Sequence, residues 1–150
     1  MVGIMGERVS SIKSSRRTRV DCSVQDSSFT QPKAILLVDD KNDLRITTKW
    51  FLTSFDYAVD SVRSAEDALL LFDAKTYDMV ITDNAMPGMS GEELAHVIKM
   101  RSRSTPVLMY TALPPNDQSC VDLVVQRPTH LLVLKEAVEK LLQSASPKHV

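Results

Sequence analysis

The chain has 150 residues, 43% of them hydrophobic and 25% charged, with 18 Lys and Arg against 19 Asp and Glu for a formal net charge of −1. That balance fits one ordinary globular domain and excludes collagen-like, fibrous and wholly disordered chains, while near-neutrality argues against wholesale binding to nucleic acid or an anionic membrane. No apolar run approaches the roughly 18 to 20 residues of a membrane helix, no signal-peptide apolar region follows the N-terminus, and Cys22 and Cys120 make neither a disulfide framework nor a zinc site, so a reduced, cytoplasmic chain is expected.

Residues 1–33 differ from the rest. They hold seven serines, the cluster Arg16, Arg17 and Arg19, and a net charge of +3, which leaves −4 for the remainder. A stretch with no sustained apolar period buries too little surface to offset its ordering entropy, so it is read as a disordered polar and basic segment. Ala34 to Val38 is a short continuous apolar run, the pattern of a parallel strand covered on both faces. Leu44, Thr48, Phe51, Leu52 and Phe55 then fall on one face of a helix.

Tyr57 to Val62 suits a second strand. Ser64 with Asp67 has the spacing of a capping box ahead of helical Ala65, Ala68, Leu69 and Phe72. Met79 to Thr82 follows as a third strand, and Ser90 with Glu93 opens a helix whose face carries Leu94, Val97 and Ile98. Val107 to Thr111 and Leu123 to Gln126 are the fourth and fifth strands. Leu131, Leu134, Val138, Leu141 and Leu142 stripe the last helix, and residues 143–150 form a polar tail.

Strands alternating with helices imply a parallel sheet with helices on both faces, whose function sits at the carboxyl ends of the strands. Those ends carry Asp39 and Asp40, Asp83, Thr111 and Arg127. Each has an ordinary explanation alone: aspartates cap helices and start turns, a threonine suits a strand, an arginine suits a surface. Together they place three carboxylates, a hydroxyl and a guanidinium in one depression. Clustered carboxylates repel, and a fold tolerates them when a cation fills the space. With no His or Cys near, the donors suit a hard ion such as Mg²⁺, which also takes phosphate oxygens. An aspartate so placed can attack a phosphorylated donor, with Thr111 and Arg127 left to hold phosphoryl oxygens.

Four segments carry a family resemblance: Ile35–Asp40, Asp78–Gly91 with its Asp83, Met86, Pro87 and Gly91, and the pairs Thr111–Ala112 and Arg127–Pro128. They resemble the receiver domain of two-component response regulators, of the stand-alone, chemotaxis-regulator type, over about residues 33–142. The resemblance implies a flavodoxin-like, doubly wound, five-stranded parallel sheet of order 2-1-3-4-5 in three α/β/α layers, occupying residues 34–142. It implies Asp83 as phosphoacceptor, with Asp40, Asp83 and the main-chain carbonyl of Ala85 as Mg²⁺ ligands and Asp39 acting through water. Thr111 is then the switch hydroxyl, and Pro128 follows a cis peptide bond. The implied partners are a histidine kinase or phosphotransfer protein and a downstream protein target; a homodimer stays open. With eight residues after Leu142, output is expected through protein contact or onward phosphotransfer.

Three features depart from the family. Arg127 stands where the family has lysine, and a planar fork is not a point charge. Val124 occupies the place of the switch aromatic, while Tyr110 is expected to point to the other face of its strand, as a core residue. Between the fourth and fifth strands only Ala112 to Val121 is available, with Pro114 and Pro115 at its start, so a helix there is shortened to about one turn near Asn116 to Cys120.

Competing functions fare worse. A haloacid-dehalogenase-like phosphatase resembles Asp-x-Asp, but Lys41 follows Asp39 by two places and Ala85 follows Asp83, so the general acid is missing. A pseudo-receiver that is never phosphorylated is favoured by Arg127 and the short crossover, and opposed by Asp39, Asp40, Asp83 and Thr111. DNA binding through the basic arm rests on three arginines alone.

Overall fold

A computed structural model describes residues 31–145. All the elements below belong to the compact unit that begins at Pro32. The polar segment expected over 1–33 therefore lies almost wholly outside the described residues, as does the tail beyond Ala145.

Five strands alternate with four helices among the described residues: β1 (Ala34–Val38), α1 (Asn42–Thr53), β2 (Ala58–Val62), α2 (Ala65–Ala74), β3 (Met79–Thr82), α3 (Gly91–Arg101), β4 (Val107–Thr111), β5 (Leu123–Gln126) and α4 (Leu131–Ala145). All strands are parallel, in the order β2-β1-β3-β4-β5. In β1, Ile35 and Leu37 join the core under α1 and α4, while Leu36 and Val38 join the core under α2 and α3. Burial on both faces is what the unbroken apolar run demands. The second strand starts one residue later than its sequence suggests, and the last helix continues three residues past Leu142.

The helix starts follow local chemistry. Ser64 Oγ accepts from the Asp67 amide, and Ser90 with Glu93 forms the full reciprocal capping box at α3. Each satisfies an amide the first turn would otherwise orphan. Leu134, Val138 and Leu142 of α4 are buried as the stripe predicts, with Leu131 and Leu141 packed at its margin. Tyr110 is buried with Leu108 in the core under α4, the role its strand parity assigns. No helix among the described residues is long and apolar enough to cross a membrane.

The shortened helix between β4 and β5 is absent. Residues 112–122 hold no helix but keep one hydrogen-bonded turn, in which the Val121 amide donates to the Gln118 carbonyl at 3.1 Å; the rest of the crossover is irregular. Pro114 and Pro115 remove two amide donors at its start. Asp117 then turns on itself, its carboxylate accepting from the Ser119 amide at 2.9 Å, a local bond that competes with helix formation. The Asp117 amide is claimed by Glu92 Oε2 of α3 at 3.0 Å. Asp122 closes the segment: its Oδ2 accepts from the Val107 amide and from Lys99 Nζ, each at 2.7 Å. Side chains of α3 and β5's leading residue thus do the tethering that a helix would otherwise supply.

Candidate functional site

The carboxyl ends of β1, β3, β4 and β5 converge on an open depression of about 510 Å³, whose lining includes Lys41, Asp83, Ala85, Thr111, Leu113 and Arg127. Asp39 and Asp40 gather with Asp83, one oxygen from each lying within 4.8 Å of the others. Asp39 and Asp83 are almost fully buried, at 4% and 3% exposure. The first sits on an amide hydrogen bond to the Val62 carbonyl, and the second donates its amide to the Val38 carbonyl, so the sheet ladder itself fixes their places.

The two oxygens of Asp83 face different surroundings. Oδ1 accepts from the Asn84 amide at 2.7 Å and lies 3.4 Å from Arg127 Nη2. Oδ2 is buried without a hydrogen bond, 3.6 Å from Lys41 Nζ. Asp40 Oδ1 is likewise buried and unbonded, 3.5 Å from the same ammonium. Asp39 Oδ1 accepts from the Lys41 amide at 2.9 Å, and its Oδ2 lies 4.0 Å from Arg127 Nη1. Burial holds the Asp39 carboxyl above the usual carboxylate range; the Lys41 amide opposes this and the neighbouring Asp83 charge adds to it.

Arg127 reaches the site although it is a longer cation than the family's lysine. Its peptide bond to Pro128 is cis, its amide donates to the Thr111 carbonyl at 2.8 Å, and its guanidinium lies 5.2 Å from the centre of the Tyr110 ring. Stacked on an aromatic face and nearly buried, the planar fork is held between Asp39 and Asp83. Lys135, the other cation nearby in sequence, is engaged elsewhere, with Glu139 at 2.7 Å.

Thr111 Oγ accepts from the Leu113 amide at 3.1 Å and donates to the Leu113 carbonyl at 3.2 Å. That carbonyl also accepts from Asn84 Nδ2 at 3.2 Å, while Asn84 Oδ1 accepts from the Glu92 amide of α3 at 3.0 Å. The residue after Asp83 therefore ties α3 to the irregular crossover. Gly91 makes the tie close-fitting: a Cβ there would stand 2.0 Å from the Asp83 carbonyl oxygen.

All five side chains expected at this site converge, and Ala85 lines the same depression. Two participants escaped sequence reasoning. Lys41 and Asn84 each directly follow an acidic strand end, but nothing in the pattern says that one side chain folds back and the other bridges two elements.

Residues 35–145 match the family model described as the response regulator receiver domain. The chain is 34% identical over 115 residues to the regulatory protein VanRB of Enterococcus faecalis, covering 73% of this chain and 52% of that protein. It is 33% identical over 120 residues to the chemotaxis protein CheY of Pseudomonas aeruginosa, covering 73% of this chain and 95% of CheY. The chain thus spans about half of VanRB and nearly all of CheY. Among solved structures, the response regulator TrrA of Thermotoga maritima in complex with Mg²⁺ and beryllium fluoride superimposes with a TM-score of 0.69 at 34% identity, covering 73% of this chain and 98% of TrrA. TrrA has also been solved in complex with the histidine kinase ThkA. The chain belongs to the response regulator receiver domain family.

Proposed function

We propose that Asp83 accepts a phosphoryl group from a histidine kinase or phosphotransfer protein, and that the modified chain signals in the cytoplasm by protein contact or onward transfer. The observation that carries this is the state of the Asp83 carboxylate. It is buried, one oxygen is engaged by the Asn84 amide, and the other has no hydrogen bond. In the reaction a carboxylate oxygen forms the new bond to phosphorus while the phosphorus–nitrogen bond of a phosphohistidine breaks and the imidazole leaves with the electron pair.

Mg²⁺ fits the donor set. Three carboxylates lie within 4.8 Å, two of their oxygens are buried and unbonded, and no softer donor is among them. Asp40, Asp83 and the Ala85 carbonyl would hold the ion, with Asp39 acting through water; bound there, it supplies positive charge against the incoming phosphoryl oxygens.

The rest falls to the chain's own side chains. Arg127 is placed to pair with a phosphoryl oxygen beside Asp83 Oδ1. The Thr111 hydroxyl would exchange its bond to the Leu113 carbonyl for one to the phosphoryl group. That exchange leaves the Leu113 carbonyl to Asn84 alone, so the crossover and the start of α3 are the first parts to respond. The pairing of TrrA with a histidine kinase and with a beryllium fluoride complex supports the reading by similarity.

The test is direct. Incubated with Mg²⁺ and acetyl phosphate, the wild type gains one phosphoryl adduct by intact mass, and the adduct requires Mg²⁺. Asp83→Asn gains none. A wild type that stays unmodified under these conditions would favour the pseudo-receiver instead.

A further inference from the structure

Lys41 stands at the N-cap of α1 and makes no side-chain cap there. An ammonium at that place opposes the positive end of the helix, where anions are favoured. Its position has another cause. The side chain folds back so that Nζ lies 3.5 Å from Asp40 Oδ1 and 3.6 Å from Asp83 Oδ2. These are the two carboxylate oxygens that are buried and without a hydrogen bond. Arg127 cannot serve them, because it faces Asp83 Oδ1 and Asp39 Oδ2 on the other side of the cluster. The Lys41 side chain is itself 53% exposed, so its ammonium can swing into solvent without unburying anything.

We propose that Lys41 is a resident counter-cation of the acceptor site, an intramolecular competitor of the divalent ion that must leave Asp40 and Asp83 before the ion binds. This rests on the phosphoacceptor reading above. Lys41 is a positioning residue: it holds the metal-free carboxylates together and sets the Mg²⁺ concentration at which Asp83 becomes competent. Its consequence is a weaker metal affinity than the three carboxylates alone would give.

Mg²⁺ titrated into the full chain by calorimetry tests this. At about 4 Å even aqueous screening leaves a unit charge worth roughly a fivefold change in affinity, and the partly buried site screens less. Lys41→Met, which keeps the stem and removes the charge, should bind Mg²⁺ about tenfold more tightly, and Lys41→Arg should stay close to wild type. Thermal unfolding separates this from a structural role. In EDTA, Lys41→Met should melt below wild type, and saturating Mg²⁺ should raise its melting point by more than it raises that of wild type. Equal gains on adding Mg²⁺, or unchanged or weaker Mg²⁺ binding by Lys41→Met while wild type binds Mg²⁺ and takes the phosphoryl adduct, would overturn the proposal and leave the phosphoacceptor reading standing. If wild type neither binds Mg²⁺ nor takes the adduct, both fall together.

Discussion

Leu108 and Thr111 are three residues apart on β4 and both fully buried, yet they belong to different environments. Leu108 sits in the floor of the sheet in one buried hydrophobic cluster with Ile35, Met79 and Ile81. Thr111 sits on the rim, lining one depression with buried Asp83 and the nearly buried Arg127, where the atoms Arg127 Nε, Asp40 Oδ1 and Asp83 Oδ2 are buried and have no hydrogen bond. The floor is complete without a ligand. The rim is a set of polar groups that are not fully satisfied until a cation and a phosphoryl group arrive, and native interiors rarely keep such groups without a functional reason. Atoms removed from the floor should therefore cost stability and leave the chemistry alone. Negative charge removed from the rim should cost the chemistry without costing stability.

The largest effect tests that division. Leu108→Ala leaves a cavity in a closed core and should lower unfolding free energy by about 2 to 5 kcal/mol. Its phosphoryl uptake, measured at a temperature where it stays folded, should match wild type. Asp83→Asn loses the adduct altogether, and in EDTA the chain should be no less stable, because one of three neighbouring carboxylates is neutralised. Denaturant unfolding and intact mass on the same two variants settle it. A strongly destabilised Asp83→Asn, or a folded Leu108→Ala that takes no phosphoryl group, would break the distinction.

Gly91, buried at the start of α3, packs against the backbone that carries Asp83, and Gly91→Ala should affect stability and chemistry together. The new Cβ would stand 2.0 Å from the Asp83 carbonyl oxygen and 2.9 Å from Asn84 Cα, and both neighbours are backbone. Overpacking of this kind costs about 1 to 3 kcal/mol, and relief requires moving the residue that carries the acceptor carboxylate. The expected signature is a lower unfolding midpoint together with slower phosphoryl uptake. A variant that is destabilised yet phosphorylated at the wild-type rate would show that the backbone yields on the α3 side alone.

The same division explains what the sequence discloses. Strands of the floor are legible because an unbroken apolar run such as Ala34–Val38 has one physical meaning in an alternating chain, and the observed bounds of β1, β3, β4 and β5 agree with the runs. The acidic rim is legible because topology alone sends the ends of β1 and β3 to the same edge. Side-chain direction is not. Lys41 folds back over Asp40 because its stem is flexible and two oxygens lack partners, a consequence of three-dimensional burial with no periodic trace. The missing helix after β4 is a similar case. Two prolines make it short, but the contact that pins the segment to α3, the Asp117 amide on Glu92 Oε2, comes from another element and leaves no trace in the local pattern.

The smallest effect contrasts a rim carboxylate with one on the flank. Asp60, in β2, accepts from Lys75 Nζ and from the Tyr77 hydroxyl, each at 2.6 Å. The Lys75 hydrogen bond first, and then that of Tyr77, holds its carboxyl below the usual value of 3.8. Its contribution is fully present above the unfolded value and is lost as pH falls through the lower folded one. Asp39 is displaced in the opposite direction, chiefly by burial. Its folded form keeps the proton to higher pH, so its favourable contribution is present below the unfolded value and is lost as pH rises through the folded one. In EDTA, Asp60→Asn should therefore lower stability at neutral pH, and the deficit should vanish in acid. Asp60 is 38% exposed, so solvent screening keeps the deficit below about 1 kcal/mol. Asp39→Asn should raise stability at neutral pH, with the gain shrinking in acid. Unfolding curves for both variants from neutral pH down to about pH 3 would show opposite trends against wild type. Parallel trends would mean that the rim carboxylates of the metal-free chain are already neutralised by Lys41 and Arg127, and that the contrast between floor and rim is one of shape and not of charge.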